Sequence, residues 1–206
     1  MINIKHIKNW LKRKISDDIV LLCKNTDKTS TILDIGCGYN SLIQYCDSKY
    51  SIGIDNFIDY INKSKNKKIH NEYIQKDITQ LDFPEKSVDI AYCSEVIEHL
   101  SKDDGKKLIK NMEKWARKKV IITTTNGFVE QDEYHDNPYQ KHLSGWDYKE
   151  FISLGYKVYG INGLKILAKN SGKNIFTRIL YILSGKLFRF NPKYTFQIFA
   201  IKNITK

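Results

Sequence analysis

The sequence predicts an α/β domain, doubly wound around a largely parallel sheet. Short apolar runs alternate with helical stretches from residue 31 onward, and the first of those runs opens into a glycine turn. A chain of 206 residues with 41% hydrophobic content suffices for one compact core and falls short of two. Only three prolines and 28% charged residues exclude a disordered chain, a collagen-like repeat and a low-complexity array.

Taken in order, the elements begin with an amphipathic helix within residues 1–24. Ile4, Ile7, Leu11, Ile15, Ile19 and Leu22 recur at spacings of three and four, opposite a lysine-rich face. A polar break over 25–30 ends it. Strands are expected over 31–35, 51–55, 73–76, 88–93 and 120–124, with helices over 41–48, 57–64 and 101–117 between them. The last helix opens with a capping pair, Ser101 and Asp104. An irregular stretch over 126–144 leads to a helix over 147–153, which Gly155 closes. Strands over 157–161 and 195–202 complete the sheet, the latter alternating cleanly between apolar and polar residues. Between them lies a basic, apolar insert, 163–194. With no repeat and no linker, 1–206 reads as a single domain.

The formal charge of +11 invites a polyanion partner. Its distribution says otherwise. All 23 acidic residues lie between Asp17 and Glu150, where 19 basic residues accompany them. Five basic residues precede this body, and ten follow Glu150 with no acid at all. Four of the 34 basic residues are Arg, few for a surface selected for contacts to phosphate or base edges.

Cysteines at 23, 37, 46 and 93 lack the paired spacing of a zinc site and the run of a radical iron–sulfur enzyme, so no metal is expected. Reduced thiols and a cytoplasmic location follow as the default. There is no run of 18 apolar residues, and the basic N-terminus lacks the apolar centre of a signal peptide.

The most informative stretch is Ile32-Leu33-Asp34-Ile35-Gly36-Cys37-Gly38-Tyr39-Asn40, a strand ending in an acid and opening into glycines. A dinucleotide site also uses such a turn. Here Ser41 stands at the third-glycine spacing and Asp34 would repel a pyrophosphate. Further acids end the next strands. Asp55, 17 residues after Gly38, suits the hydroxyls of a ribose, and Asp77 suits an amino group. The fourth strand runs into Ser94-Glu95-Val96-Ile97-Glu98-His99-Leu100.

On these residues the chain resembles the class I S-adenosylmethionine-dependent methyltransferases, whose signatures read like LD-x-G-C-G and E-x-x-E-H-L. The resemblance covers about residues 30–160 and the last strand. It implies a Rossmann-like, seven-stranded sheet of order 3-2-1-4-5-7-6 with an antiparallel seventh strand. It further implies S-adenosylmethionine as cofactor, with Asp34, Gly36 and Gly38 along the methionine half, Asp55 at the ribose and Asp77 at the adenine. Ile78 would lie on the adenine ring, Ser94 and Glu95 would border the sulfonium, and Cys37 and Asn56 complete the set. Asn40 departs from the family, which most often has a third glycine there.

The segment 123–146 is dense in polar, aromatic and imidazole groups and follows the fifth strand, where acceptors bind in α/β folds. His142 is the first candidate for general base or acceptor-orienting residue, with His135, Tyr134 and Asn126 behind it. His99 reads mainly as structural, at a place where a short helix must turn back onto the sheet. Family members often show T-P-N-G here, whereas this sequence has Thr125 in the proline position. Asn137-Pro138-Tyr139 follows the fifth strand, not the fourth, and so does not match the N-P-P-Y of amino-methylating enzymes acting on adenine.

The insert carries seven basic residues, many aromatic and aliphatic ones, and no acid. That suits an element in an anionic membrane interface, a lid over the acceptor or a helix packed on the domain. The expected function is methylation, on oxygen, of a small-molecule, glycan or lipid-linked acceptor, with peripheral contact to an anionic membrane as an open partner. An RNA-directed methyltransferase, or a non-catalytic module that binds S-adenosylmethionine, is the alternative.

Overall fold

The computed structural model describes residues 16–133, 137–168 and 174–204. The first half of the expected N-terminal helix, Tyr134, His135 and Lys173 lie outside the described residues. What is described of the first helix, α1, is Asp17–Asn25, with Leu21 and Leu22 buried against the sheet.

Seven strands form one sheet: β1 Thr31–Ile35, β2 Tyr50–Asp55, β3 Glu72–Gln75, β4 Val88–Ser94, β5 Ala116–Thr125, β6 Lys157–Leu164 and β7 Thr195–Asn203. Their order is 3-2-1-4-5-7-6. The first five strands run parallel, and β7 pairs antiparallel with both β5 and β6. Alternation along each strand divides the core into two layers. Leu33, Ile35, Ala91, Cys93 and Ile122 face one layer, while Ile32, Ile90, Tyr92, Ile121 and Phe199 face the other. Strands buried on both faces read as continuous apolar runs, which is why β1 and β4 are legible in the sequence.

The intervening helices are α2 Ile58–Lys67, α3 Lys102–Trp115, α4 Tyr148–Ser153, α5 Lys165–Ala168 and α6 Ile175–Phe188. Three expectations are corrected here. The helix expected over 41–48 is a single 3-10 turn, Leu42–Tyr45, capped by Ser41. Only Ile43 and Tyr45 are buried in it, too little apolar surface to hold a longer helix. The helix expected to reach residue 117 stops at Trp115, because Ala116 to Lys119 are drawn into β5, where Arg117 pairs with Asp89 on β4. The sixth strand continues past residue 161 to Leu164 through a register shift, with Asn162 and Gly163 at φ 56° and 73°. The segment 163–194 therefore starts as strand, and its largest described element is α6.

Helix α6 is held to the body at one face. Ser184 accepts from Leu164 N at 3.0 Å, Tyr181 packs on Gly163, and Arg189 beyond its end pairs with the buried Asp17. Ile175, Phe176, Ile179, Leu183 and Leu187 remain exposed on the other face. No described helix is long and apolar enough to cross a membrane.

Candidate active site

The site is built at the C-terminal ends of β1, β2 and β4. Gly36 has φ 69°, and a Cβ there would lie 2.3 Å from Val96 Cγ2, so the turn closes against the residue after Glu95 only because no side chain intervenes. Gly38 also has a positive φ, 54°, with open space where a Cβ would be. The turn is tied to β2 by Cys37 N to Ile54 O at 2.8 Å and Gly38 N to Asp55 Oδ2 at 2.8 Å. Asp55 Oδ1 accepts from Phe57 N. Burial outweighs these hydrogen bonds and raises the Asp55 carboxyl above the usual range.

Asp34 is buried beneath the turn, where Ser41 Oγ donates to its Oδ2 and His70 Nε2 lies 2.8 Å away. His70 escaped the sequence reading, since nothing around it marks a partner 36 residues away. Asn40 takes no left-handed backbone, and instead accepts through Oδ1 from Lys67 Nζ at 3.2 Å. Asp77 caps the 3-10 turn Ile78–Gln80, its Oδ1 accepting from Thr79 N and Oγ1.

At the end of β4, Ser94 Oγ meets Thr123 Oγ1 at 2.7 Å. Glu95 sits at φ 53°, a strained backbone for a residue other than glycine, and its carboxylate accepts from Thr123 and from Gln197 on β7. Burial first, and then the neighbouring Glu98, push the Glu95 carboxyl well above the ordinary carboxylate range. Gln197 is another residue that sequence reasoning missed, because β7 reads only as an alternating strand.

A cavity of about 690 Å³ opens over these strand ends. Asp34, Gly36, Cys37 and Gly38 line it, as do Asp55, Asn56, Asp77 and Ile78, with Ser94 and Glu95 farther along. All ten residues expected at a cofactor thus meet on one surface. Asp18 of α1 adds a fifth carboxylate to the wall, against one lysine, Lys141, among the described residues.

The far end of the cavity is walled by His99, Asn137, Pro138, Tyr139 and Lys141. His142 and Asn126 are buried and do not line it. Asn126 instead donates to Pro192 O and Thr195 O, holding the start of the loop after β5 against the approach to β7. The rest of that loop is laid onto the turn after β4. Leu143 N and Ser144 N donate to Glu98 O, and Trp146 Nε1 donates to Ile97 O at 3.2 Å. The His142 ring packs edge-on against that of His99, centroids 4.8 Å apart. His99 Nδ1 faces Lys141 O at 3.1 Å and His142 Nδ1 faces Val129 O at 2.6 Å. Burial lowers the His99 imidazolium, so the ring is neutral near pH 7.

A sequence model for the family described as "Methyltransferase domain" matches residues 33–123, from within β1 almost to the end of β5. Over that segment the chain is a methyltransferase domain, and its strand order is that of the class I S-adenosylmethionine-dependent methyltransferases. Over 188 residues this methyltransferase is 28% identical to a Plasmodium falciparum protein named phosphoethanolamine N-methyltransferase. The match covers 88% of this chain and 66% of that one, so the chain spans somewhat under two thirds of the relative's length. Among solved structures it resembles the Haemonchus contortus phosphoethanolamine N-methyltransferase 1 complex with phosphoethanolamine and S-adenosylhomocysteine. That similarity has a TM-score of 0.61 at 12% identity, over 93% of this chain and 43% of the other. A SAM-dependent methyltransferase from Archaeoglobus fulgidus matches at TM-score 0.57 and 16% identity, over 94% and 98% of the two chains.

The cofactor of this methyltransferase is S-adenosylmethionine, and the residues present fit it. Its sulfonium is a cation, and the wall carries five carboxylates to one lysine. The open space above Gly38 leaves room for a ligand against the main chain.

Proposed function

We propose that this methyltransferase transfers a methyl group to an oxygen of a small molecule, glycan or lipid-linked acceptor, and that the acceptor reaches it from a lipid surface. The carrying observation is α6. Its exposed face is a contiguous run of large apolar residues, and no acid occurs anywhere after Glu150. Exposed apolar stripes with basic neighbours suit a membrane interface. The same helix packs on β6, whose Ile161 and Asn162 line the cavity.

In this reading Asp34, Gly36, Cys37 and Gly38 hold the methionine end of the cofactor. Asp55 and Asn56 take the ribose, and Asp77 and Ile78 the adenine. Ser94 and Glu95 border the reacting end. S-adenosylmethionine supplies an electrophilic methyl group on sulfur, and alignment of the acceptor with it is the chain's main task. As the carbon–oxygen bond forms and the carbon–sulfur bond breaks, the acceptor hydroxyl gives up its proton, and Glu95, whose affinity for a proton is raised by burial, stands on the wall to take it, while His99 presents a neutral ring there. His142 is a positioning residue that acts through His99. Support for an oxygen acceptor comes from a proton-accepting carboxyl at the reacting end.

A second reading, transfer to an amine, is favoured by the relatives, whose names specify phosphoethanolamine N-methylation. Incubation with methyl-labelled S-adenosylmethionine and separate lipid and aqueous extracts distinguishes the two. Label in an organic-soluble methyl ether or ester is the expected result, and label confined to water-soluble methylamines overturns it. Flotation with phosphatidylglycerol vesicles across a salt series tests the surface. Failure to float, together with a shift of RNA in gels, would favour the RNA-directed alternative.

A further inference from the structure

We infer that Glu98, His99 and His142 bind a divalent cation at the acceptor end of the cavity. Each offers a donor atom within 4.8 Å of the other two. The two rings are fixed in one tautomer. A backbone carbonyl only accepts, so the Nδ1 atoms facing Lys141 O and Val129 O carry the protons, and each Nε2 keeps its lone pair. Imidazoles anchored in this way through one nitrogen are the arrangement by which proteins aim the other at a metal.

Glu98 supplies the independent observation. Its side chain is buried, with the residue 1% exposed, and Oε2 accepts from Thr124 Oγ1 at 2.9 Å. Oε1 is equally buried and has no partner among the described residues. An orphaned carboxylate oxygen in the interior is costly, and a cation beside it removes the cost.

Two imidazole nitrogens and one carboxylate oxygen suit zinc, manganese, iron or cobalt. Bonds of about 2.0–2.2 Å hold donors roughly 3–3.5 Å apart, so the widest-spaced of the three must draw together by up to about 1.3–1.8 Å. His99, less buried than the other two, is the one placed to move. Three protein ligands leave a coordination position open, and His99 is the ligand on the cavity wall. An oxygen ligand, water or an acceptor hydroxyl, fits that position. The sequence conceals the site because its ligands are Glu98-His99 and a histidine 43 residues later, with no cysteine among them.

The test uses the full chain freed of metal by a chelator and titrated with Co²⁺, then with Zn²⁺ in competition. One equivalent with visible d–d absorption and no thiolate charge-transfer band is expected. His142→Ala and the shape-preserving Glu98→Gln should each weaken binding by at least ten-fold, whereas the exposed control Asp103→Ala should not. Calorimetry with S-adenosylhomocysteine confirms that each variant is folded. Absence of the bands, a thiolate band, or equal binding by the Glu98→Gln variant overturns the site. If S-adenosylhomocysteine binds and cobalt does not, the metal site alone falls. If neither binds the folded chain, the cofactor reading of the cavity falls with it.

Discussion

Asp34 and His70, 36 residues apart in the chain, meet at 2.8 Å with both side chains almost completely buried. The contact joins the end of β1 to the loop before β3, passing beneath the glycine turn. It depends on Gly53, where a Cβ would lie 2.8 Å from His70 Nδ1 and 3.0 Å from Cys37 Sγ. The acid under the glycine turn is thus held from below as well as by Ser41 from the side.

Removing His70 should therefore reach the cofactor site without touching the cavity surface. The His70→Ala variant leaves a buried carboxylate short of a partner, a loss of about 2–4 kcal/mol. Thermal unfolding should fall accordingly, and S-adenosylhomocysteine should bind more weakly by calorimetry. An unchanged affinity would mean that Asp34 is positioned by Ser41 alone.

The two glycines of the turn should respond differently. Gly36→Ala combines a positive φ with a contact of 2.3 Å to Val96, so it should destabilise the fold by several kcal/mol. Gly38→Ala meets no atom within 4 Å and should cost only about 1 kcal/mol. Its methyl group enters the space over the turn, so the loss should appear in cofactor affinity. Paired melting curves and calorimetric titrations check the contrast.

Much of this was legible in the sequence, for physical reasons. Doubly buried β1 and β4 produce apolar runs, and acids at successive strand ends stand out against them, so the ten candidates picked from the sequence line one cavity. What was missed depends on contacts between distant segments. His70 and Gln197 carry no local signal, and the roles expected of the two histidines changed once the loop after β5 lay on the turn after β4. His99, read as structural, stands on the wall, while His142 is buried beside it. The helix expected over 41–48 failed because turn and cap chemistry claim residues 36–41, leaving a single turn to bury two side chains.

The acid limb of stability should depend on Asp89. Although burial opposes its ionisation, hydrogen bonds from Thr31 N, Arg117 and Thr31 Oγ1 hold its pKa down at about 2. The unfolded value is about 3.9. A depressed folded pKa contributes stability that is complete above the unfolded value and is lost as pH falls from about 4 to about 2. Arg117 is partly exposed, so screening leaves on the order of 1–2 kcal/mol. Denaturant titrations of wild type and Asp89→Asn should differ by that amount at pH 7 and converge near pH 2.

A reversed helix-propensity effect is expected at Gly105. Alanine in place of glycine inside a helix ordinarily stabilises by about 1 kcal/mol. In α3, however, a Cβ at Gly105 would lie 2.5 Å from Trp146 Cζ2. Trp146 is buried, donates to Ile97 O and lies under the ammonium of Lys102, which stands 3.7 Å from the ring centroid. It cannot yield without lifting the loop that carries His142 to Ser144 off the turn containing Glu98 and His99. Gly105→Ala should therefore destabilise by about 1–3 kcal/mol, the usual cost of overpacking. It should also lower turnover more than cofactor affinity, because Trp146 holds the loop after β5 onto the turn after β4 and does not itself line the cavity. A Gly105→Ala variant that melts higher than wild type would show that the ring has room to move and that the loop is not held through it.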